Sequence, residues 1–249
     1  MIVQLSDLHI GAAGATDPIE DARAAVAMAR ALRPDAVLVT GDLAEHAAAA
    51  EYAVARDLLA AAAVPVHVVA GNHDTSAGLH AAFPLAGLTA GPYRWAAQLG
   101  PFRVVACDTS RPGRDDGQLT PAELDWLRER LAAEPDVPTI VAMHHPPLPT
   151  GMAWVDDLGL PRADRAALAD VLREAPQVHR VVSGHVHMAV HGRLAGAPVS
   201  TGPSTWRDRP VLAPGAGPPR MAPAPAELLV HVLVEGELVT HVQPVAAAT

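Results

Sequence analysis

Six short apolar runs set the architecture of this chain: Ile2–Leu5 (IVQL), Ala36–Val39 (AVLV), Val66–Val69 (VHVV), Phe102–Ala106 (FRVVA), Thr139–Met143 (TIVAM) and Arg180–Val182 (RVV). Each is short, β-branched and bounded by turn residues, the signature of a buried strand. Helical patterns lie between several of them. In DPIEDARAAVAMARAL, Asp17 is placed to cap, Pro18 to occupy the first helical position and Glu20 to complete a capping box. TPAELDWLRERL repeats the device with Thr120, Pro121 and Glu123, and Leu124, Leu127 and Leu131 mark one face. AEYAVARDLLAAAA and RADRAALADVLREA complete the set. Strands alternating with helices predict an α/β architecture.

The last third changes character. GRLAGAPVS and ELLVHVLVEGELVTHVQPV read as successive strands, with Glu235-Gly236 as a two-residue hairpin turn. The Pro/Gly/Ala-rich segment at about 208–226 holds few large apolar residues, which predicts a loop acting as a lid, an oligomer contact or a disordered stretch. No internal repeat or domain boundary is evident, so residues 1–249 are expected to form a single domain. With half its 249 residues hydrophobic, the chain is long enough to bury a sizeable core, built mainly from Val, Leu, Ile and Ala because aromatics are scarce.

Charge and cysteine usage exclude other classes. A formal charge of −9 argues against a nonspecific nucleic-acid surface and against a basic membrane patch. The single cysteine, Cys107, excludes an intrachain disulfide framework and a thiolate-rich zinc site, and it reads as a small apolar strand residue. The N-terminus lacks the features of a leader, and no apolar stretch is long enough to span a bilayer, so a soluble, cytoplasmic protein is expected.

The informative residues stand where the strands end. Asp7 and His9 follow the first run, and Gly41-Asp42 the second. Gly71, Asn72, His73 and Asp74 follow the third, and His144-His145 precede Pro146-Pro147. Gly184, His185 and His187 close the last. Ligands in open α/β sheets bind beyond the carboxyl ends of strands. Each cluster alone reads as an ordinary turn; five together point to a metal site. In an extended segment residues two apart share a side, so His185 and His187 should converge on one centre while Val186 points into apolar packing. Carboxylate, amide oxygen and imidazole without thiolate suit Mn, Fe, Co or Zn. Seven such residues exceed what one open ion needs and suit two divalent first-row ions sharing a carboxylate. Two ions ~3.5–4 Å apart clamp the attacking and leaving oxygens of an in-line displacement at phosphorus.

The order D-x-H, G-D, G-N-H-D, H-H-P, G-H-x-H, from Asp7 to His187, resembles the calcineurin-like metallophosphoesterase superfamily. HHPP, CDTS before Arg111, and TPAELDWL resemble more narrowly its bacterial class III cyclic-nucleotide phosphodiesterases and glycerophosphodiesterases. The resemblance implies a four-layer α/β/β/α sandwich, two mixed sheets faced by helices. It assigns Asp7, His9 and His187 to one metal, Asn72, His144 and His185 to the other, and Asp42 to both. His73 is implied to contact a phosphate oxygen and protonate the leaving alkoxide, with Asp74 orienting His73 or holding its loop. His144 is chosen over His145 by the family's H-x-P spacing.

The implied activity is hydrolysis of a small phosphodiester, a cyclic nucleotide or a glycerophosphodiester, by in-line attack of a metal-bridging hydroxide. A phosphomonoesterase on the same metal core is the alternative. A non-catalytic metal-dependent binding module is the third reading, disfavoured because no expected ligand is missing. A homo-oligomer is compatible with the sequence. Arg111, Arg114, Arg207 and Arg209 are candidate phosphate contacts, with solvation as the default, and His191 is a marginal candidate for the pocket. His46, His67, His80, His179, His231 and His241 are expected to be structural or surface residues.

Overall fold

The structure, a computed structural model, describes residues 1–211 and 217–245. Its first half runs β1 (Ile2–Leu5), α1 (Pro18–Leu32), β2 (Ala36–Val39), α2 (Ala49–Ala60), β3 (Val66–Val68), α3 (Ser76–Ala82), β4 (Trp95–Leu99), β5 (Phe102–Ala106) and α4 (Pro121–Ala132). It continues β6 (Thr139–Ala142), α5 (Ala153–Asp157), α6 (Arg162–Arg173), β7 (Val178–Ser183), β8 (His191–Leu194) and β9 (Ala197–Thr201). The last strands are β10 (Asp208–Pro210), β11 (Met221–Pro223), β12 (Glu227–Val234) and β13 (Glu237–Pro244). Among the described residues no helix is long and apolar enough to cross a membrane.

Two mixed sheets result. One has the order β13-β12-β1-β2-β3 and the other β4-β5-β6-β7-β9-β8. In the first, β1, β2 and β3 are parallel and β12 joins β1 antiparallel. In the second, β5, β6, β7 and β9 are parallel. The layering follows from the two-residue period of strands. Val104, Ala106, Ile140, Ala142 and Val182 pack inward with the first sheet. Their neighbours Val105, Val141 and Val181 pack outward on Leu124, Leu127 and Leu131 of α4 and Leu168, Val171 and Leu172 of α6. On the far side, Ala22, Ala25, Val26 and Ala29 of α1 recur at helical spacing and cover the first sheet. The expected four-layer sandwich is therefore the fold. Leu127 is wholly buried, and truncating it to Ala would cost about 2–5 kcal/mol.

Local signals act largely as their chemistry dictates. Asp17 accepts from the Ile19 amide at 2.9 Å, and Thr120 from the Glu123 amide at 3.1 Å. Glu123, however, does not reach back to close a capping box. Its carboxylate is buried and takes the Asp108 amide at 3.1 Å and Arg94 at 2.8 Å. Glu235 and Gly236 turn at φ 52° and 86°, the two positive angles of the expected hairpin. The Pro/Gly/Ala-rich segment is not wholly a loop: β10 and β11 pair antiparallel, Asp208 opposite Pro223, while residues 212–216 lie outside the described residues.

A buried polar seam joins the two sheets below the strand ends. The Gln4 amide donates to Thr40 Oγ1 and to the Ser183 carbonyl, each at 2.9 Å, and accepts from His231 Nε2 at 3.0 Å. Gln4 belongs to β1 and Ser183 to β7, so this side chain fixes one sheet against the other where satisfied polar groups are needed.

Candidate metal centre

The strand ends do not present their side chains by continuing as strands. Asp7, His9, Asp42, His185 and His187 have φ of 52°, 48°, 53°, 72° and 57°. All five are left-handed, a conformation costing roughly 1–2 kcal/mol for a residue with a Cβ. The expectation that His185 and His187 converge by strand alternation is corrected here: the Val186 amide folds back onto the Gly184 carbonyl at 2.9 Å, and two left-handed residues aim the rings. The strained loops are held by backbone pairing, with the Asp7 amide on Gly41 O at 3.1 Å and the His9 amide on Asp42 O at 2.9 Å. Gly41 turns at φ 97°, and a Cβ there would strike the His144 ring.

These turns bring all seven sequence-derived ligand candidates together as two groups. In the first, His9 Nε2 lies 3.0 Å from His187 Nε2, and His187 Nε2 lies 3.7 Å from Asp7 Oδ1. In the second, Asn72 Oδ1 lies 2.9 Å from His144 Nε2 and 3.0 Å from His185 Nδ1. Between them, Asp42 Oδ2 lies 3.6 Å from His9 Nε2 and 3.3 Å from His144 Nε2. His185 and His187 thus face different groups, and Val186 packs with Met152 and Val155.

The residues fit divalent ions. With metal–ligand bonds of about 2.0–2.2 Å, neighbouring ligand atoms sit roughly 3–3.5 Å apart, close to the spacings found. Asp7 Oδ2 is buried and has no hydrogen-bond partner, an arrangement that a cation would satisfy. The protonation balance also asks for positive charge. Burial disfavours the His144 imidazolium, but the Asp42 carboxylate outweighs it and raises His144 to about 9, while Asp42 is held well below the usual carboxylate range. Burial pushes His187 down to about 4 and His185 well below its ordinary value, leaving both neutral and able to ligate.

The surrounding residues divide into supports and bystanders. Glu45, which sequence reasoning missed, accepts from His9 Nδ1 at 2.6 Å. Its backbone carbonyl accepts from His73 Nδ1 at 2.9 Å. The only sequence signal was an acid three residues after Asp42. His73 lines the cavity, its ring edge-on to that of His9. Of the two roles open to Asp74, the geometry favours holding the loop: its carboxylate accepts from the Gly71, Leu43 and Ala44 amides at 3.0, 3.3 and 3.3 Å. His145 stands beside His144 and His185, its ring 4.6 Å from that of His185, but both its nitrogens are engaged elsewhere, by Thr109 Oγ1 at 2.8 Å and by the Asp115 carbonyl at 3.1 Å.

The candidate arginines are ion-paired. Arg111 and Arg114 bind Asp116, Arg207 binds Asp21 at 2.6 Å, and Arg209 binds Glu227 at 2.7 Å. His191 contacts Ser200 and does not line the cavity. Trp206, also unforeseen, packs 5.5 Å from the His9 ring and 6.4 Å from that of His187.

A probable cyclic nucleotide phosphodiesterase of Rhodococcus erythropolis is 33% identical over 82% of this chain and 70% of its own length. The glycerophosphodiester phosphodiesterase GpdQ of Enterobacter lignolyticus is 34% identical over 72% of this chain, which spans 65% of that protein. A dimetal phosphatase from Danio rerio superposes with a TM-score of 0.77 over 98% of this chain and 96% of its own, at 17% identity, and shares the fold. Residues 1–189 match the calcineurin-like phosphoesterase family, and the chain belongs to it.

Proposed function

We propose that the chain is a dinuclear metal-dependent phosphodiesterase acting on a small diester. The carrying observation is Asp42, one of whose oxygens faces a histidine of each group at 3.6 and 3.3 Å. In this reading Asp7, His9 and His187 hold one ion, Asn72, His144 and His185 the other, and Asp42 both. Mn, Fe, Co and Zn suit this donor set. When bound, the ions would polarise the phosphoryl group and lower the pKa of a coordinated water.

The chain's own residues supply the rest. Glu45 fixes the His9 ring so that Nε2 points inward. The Glu45 carbonyl can only accept, so a proton occupies His73 Nδ1, and Nε2 is the nitrogen that would deliver a proton to the leaving alkoxide. Choice of a diester rests on the cavity wall. Glu45 and Asp115 line it, and among the described residues no arginine or lysine does. A singly charged diester suits such a wall better than a dianionic monoester. The two relatives, whose names specify diesters, support the same reading.

The test is a panel with manganese-loaded protein: cyclic AMP, a glycerophosphodiester, bis-nitrophenyl phosphate and nitrophenyl phosphate, alongside elemental analysis. Turnover of diesters with about two ions per chain is expected. Preference for the monoester, or full activity with a single ion, would overturn the reading.

A further inference from the structure

One wall of the metal cavity is apolar in a protein with few aromatics to spare. Two of the four tryptophans, Trp154 and Trp206, line it together with Met221. Trp206 is packed against His9 and His187. Trp154 and Met221 are different: they are 39% and 42% exposed, and among the described residues the other exposed large apolar side chains are Val234, Val239 and Val242, outside the cavity. An exposed tryptophan and methionine at the rim of a reactive centre form a surface awaiting a flat apolar partner.

Their placement is built. Trp154 rides on α5, whose Val155 and preceding Met152 pack on Val186, the residue between the two ligating histidines. Asp156 anchors the turn entering α5, accepting from the Thr150 amide at 2.6 Å, its hydroxyl at 2.7 Å and the Gly151 amide at 3.1 Å. Met221 is supplied by a separate element, at the start of β11 opposite Pro210, which also lines the cavity. Trp154 is therefore tied to the histidine loop through Val186, and Met221 to Pro210 through the β10–β11 pair.

We infer that Trp154 and Met221 are specificity-determining residues that receive a flat aromatic ester substituent, such as a nucleobase, and select it over a polar glycerol-type substituent. The inference rests on the phosphodiesterase reading. The groups facing this wall are chiefly side-chain carbon, so the hydroxyls of a glycerol moiety would lose water there without recovering hydrogen bonds. A base stacked by its face can keep its polar edges in water while it gains stacking area.

The experiment compares kcat/KM for cyclic AMP and glycerophosphoethanolamine in the manganese-loaded full chain. Wild type should favour cyclic AMP. Trp154→Ala should lower the ratio of the two roughly fivefold or more, the low end of what losing one base–aromatic stack brings. The change should appear in KM for cyclic AMP, with kcat and metal content kept. Trp154→Phe should restore most of the ratio, and Met221→Ala should lower it less. Because Trp154 is partly exposed and Val155 supplies the packing, the variant should keep its melting temperature. A wild-type preference for the glycerol diester, or an unchanged ratio in Trp154→Ala, overturns the inference while leaving the phosphodiesterase reading intact. Hydrolysis of nitrophenyl phosphate alone overturns both.

Discussion

His9 and Glu45 are joined by a 2.6 Å hydrogen bond from Nδ1 to Oε2, and His73 leans on the carbonyl of the same glutamate. One residue thus orients both a ligand candidate and the proposed acid. Glu45→Ala should weaken the site of Asp7, His9 and His187 by 10–100-fold in metal affinity, the usual loss when a ligand's outer partner is removed. The site of Asn72, His144 and His185 should bind nearly as before. Metal titration resolving the two sites checks this, and equal weakening of both would show that Glu45 acts on the whole loop.

Asp42→Asn should impair both sites at once. The amide lacks the charge that two ions shared by Asp42 would need, and it places a donor where an acceptor would be required. By contrast, His187→Ala and His185→Ala should each weaken a different site, because their rings face different groups. Elemental analysis of the three variants, dialysed side by side, separates these outcomes. A chain that loses the same ion with either histidine would require a single shared centre.

His73→Ala should leave metal content nearly intact, since no ligand candidate depends on its ring for a hydrogen bond. Turnover should fall by roughly 10²–10⁴-fold if the ring transfers a proton. The loss should shrink for nitrophenyl esters, whose leaving groups need little protonation. Single-turnover rates across leaving groups provide the measurement, and a loss independent of leaving-group pKa would sink the acid role.

His231 gives a pH dependence away from the metals. Burial, reinforced by the Arg180 charge, pushes it down to about 3. Its unfolded value is near 6.5, so unfolding takes up a proton between those limits. Stability is therefore full above about pH 6.5 and is lost as the pH falls towards 3. The loss between pH 7.5 and pH 5 should be about 2 kcal/mol. Urea unfolding at both values, for wild type and His231→Gln, isolates the contribution. An equal loss in the variant would assign it to other groups.

Periodicity and position made much of this legible in the sequence. The short apolar runs with helices between them gave the strands, and the polar residues at their ends gave the seven ligand candidates. What escaped depends on tertiary contact. That His185 and His187 diverge from left-handed turns is invisible, because backbone angles of non-glycine residues leave no mark in composition. Glu45 is an ordinary acid until His9 folds onto it. Glu123 follows the capping-box pattern, yet burial beside Asp108 and Arg94 uses its carboxylate elsewhere. Met221 lay in a stretch too rich in proline to suggest any wall at all.

The pairing of β1 with β12 bears on how the protein is made. β1 is synthesised more than two hundred residues ahead of β12, yet one of its edges is completed only by residues 229–231, opposite Gln4, Val3 and Ile2. Until those residues leave the ribosome, a buried strand carries unpaired backbone groups along one edge, and Gln4 lacks its His231 partner, an open template for association with other chains. The centre faces the same wait in part, since His9 meets a histidine 178 residues later. Nascent chains halted before residue 227 should therefore be captured by chaperones and should bind no metal pair tightly, even though every ligand candidate has already been made.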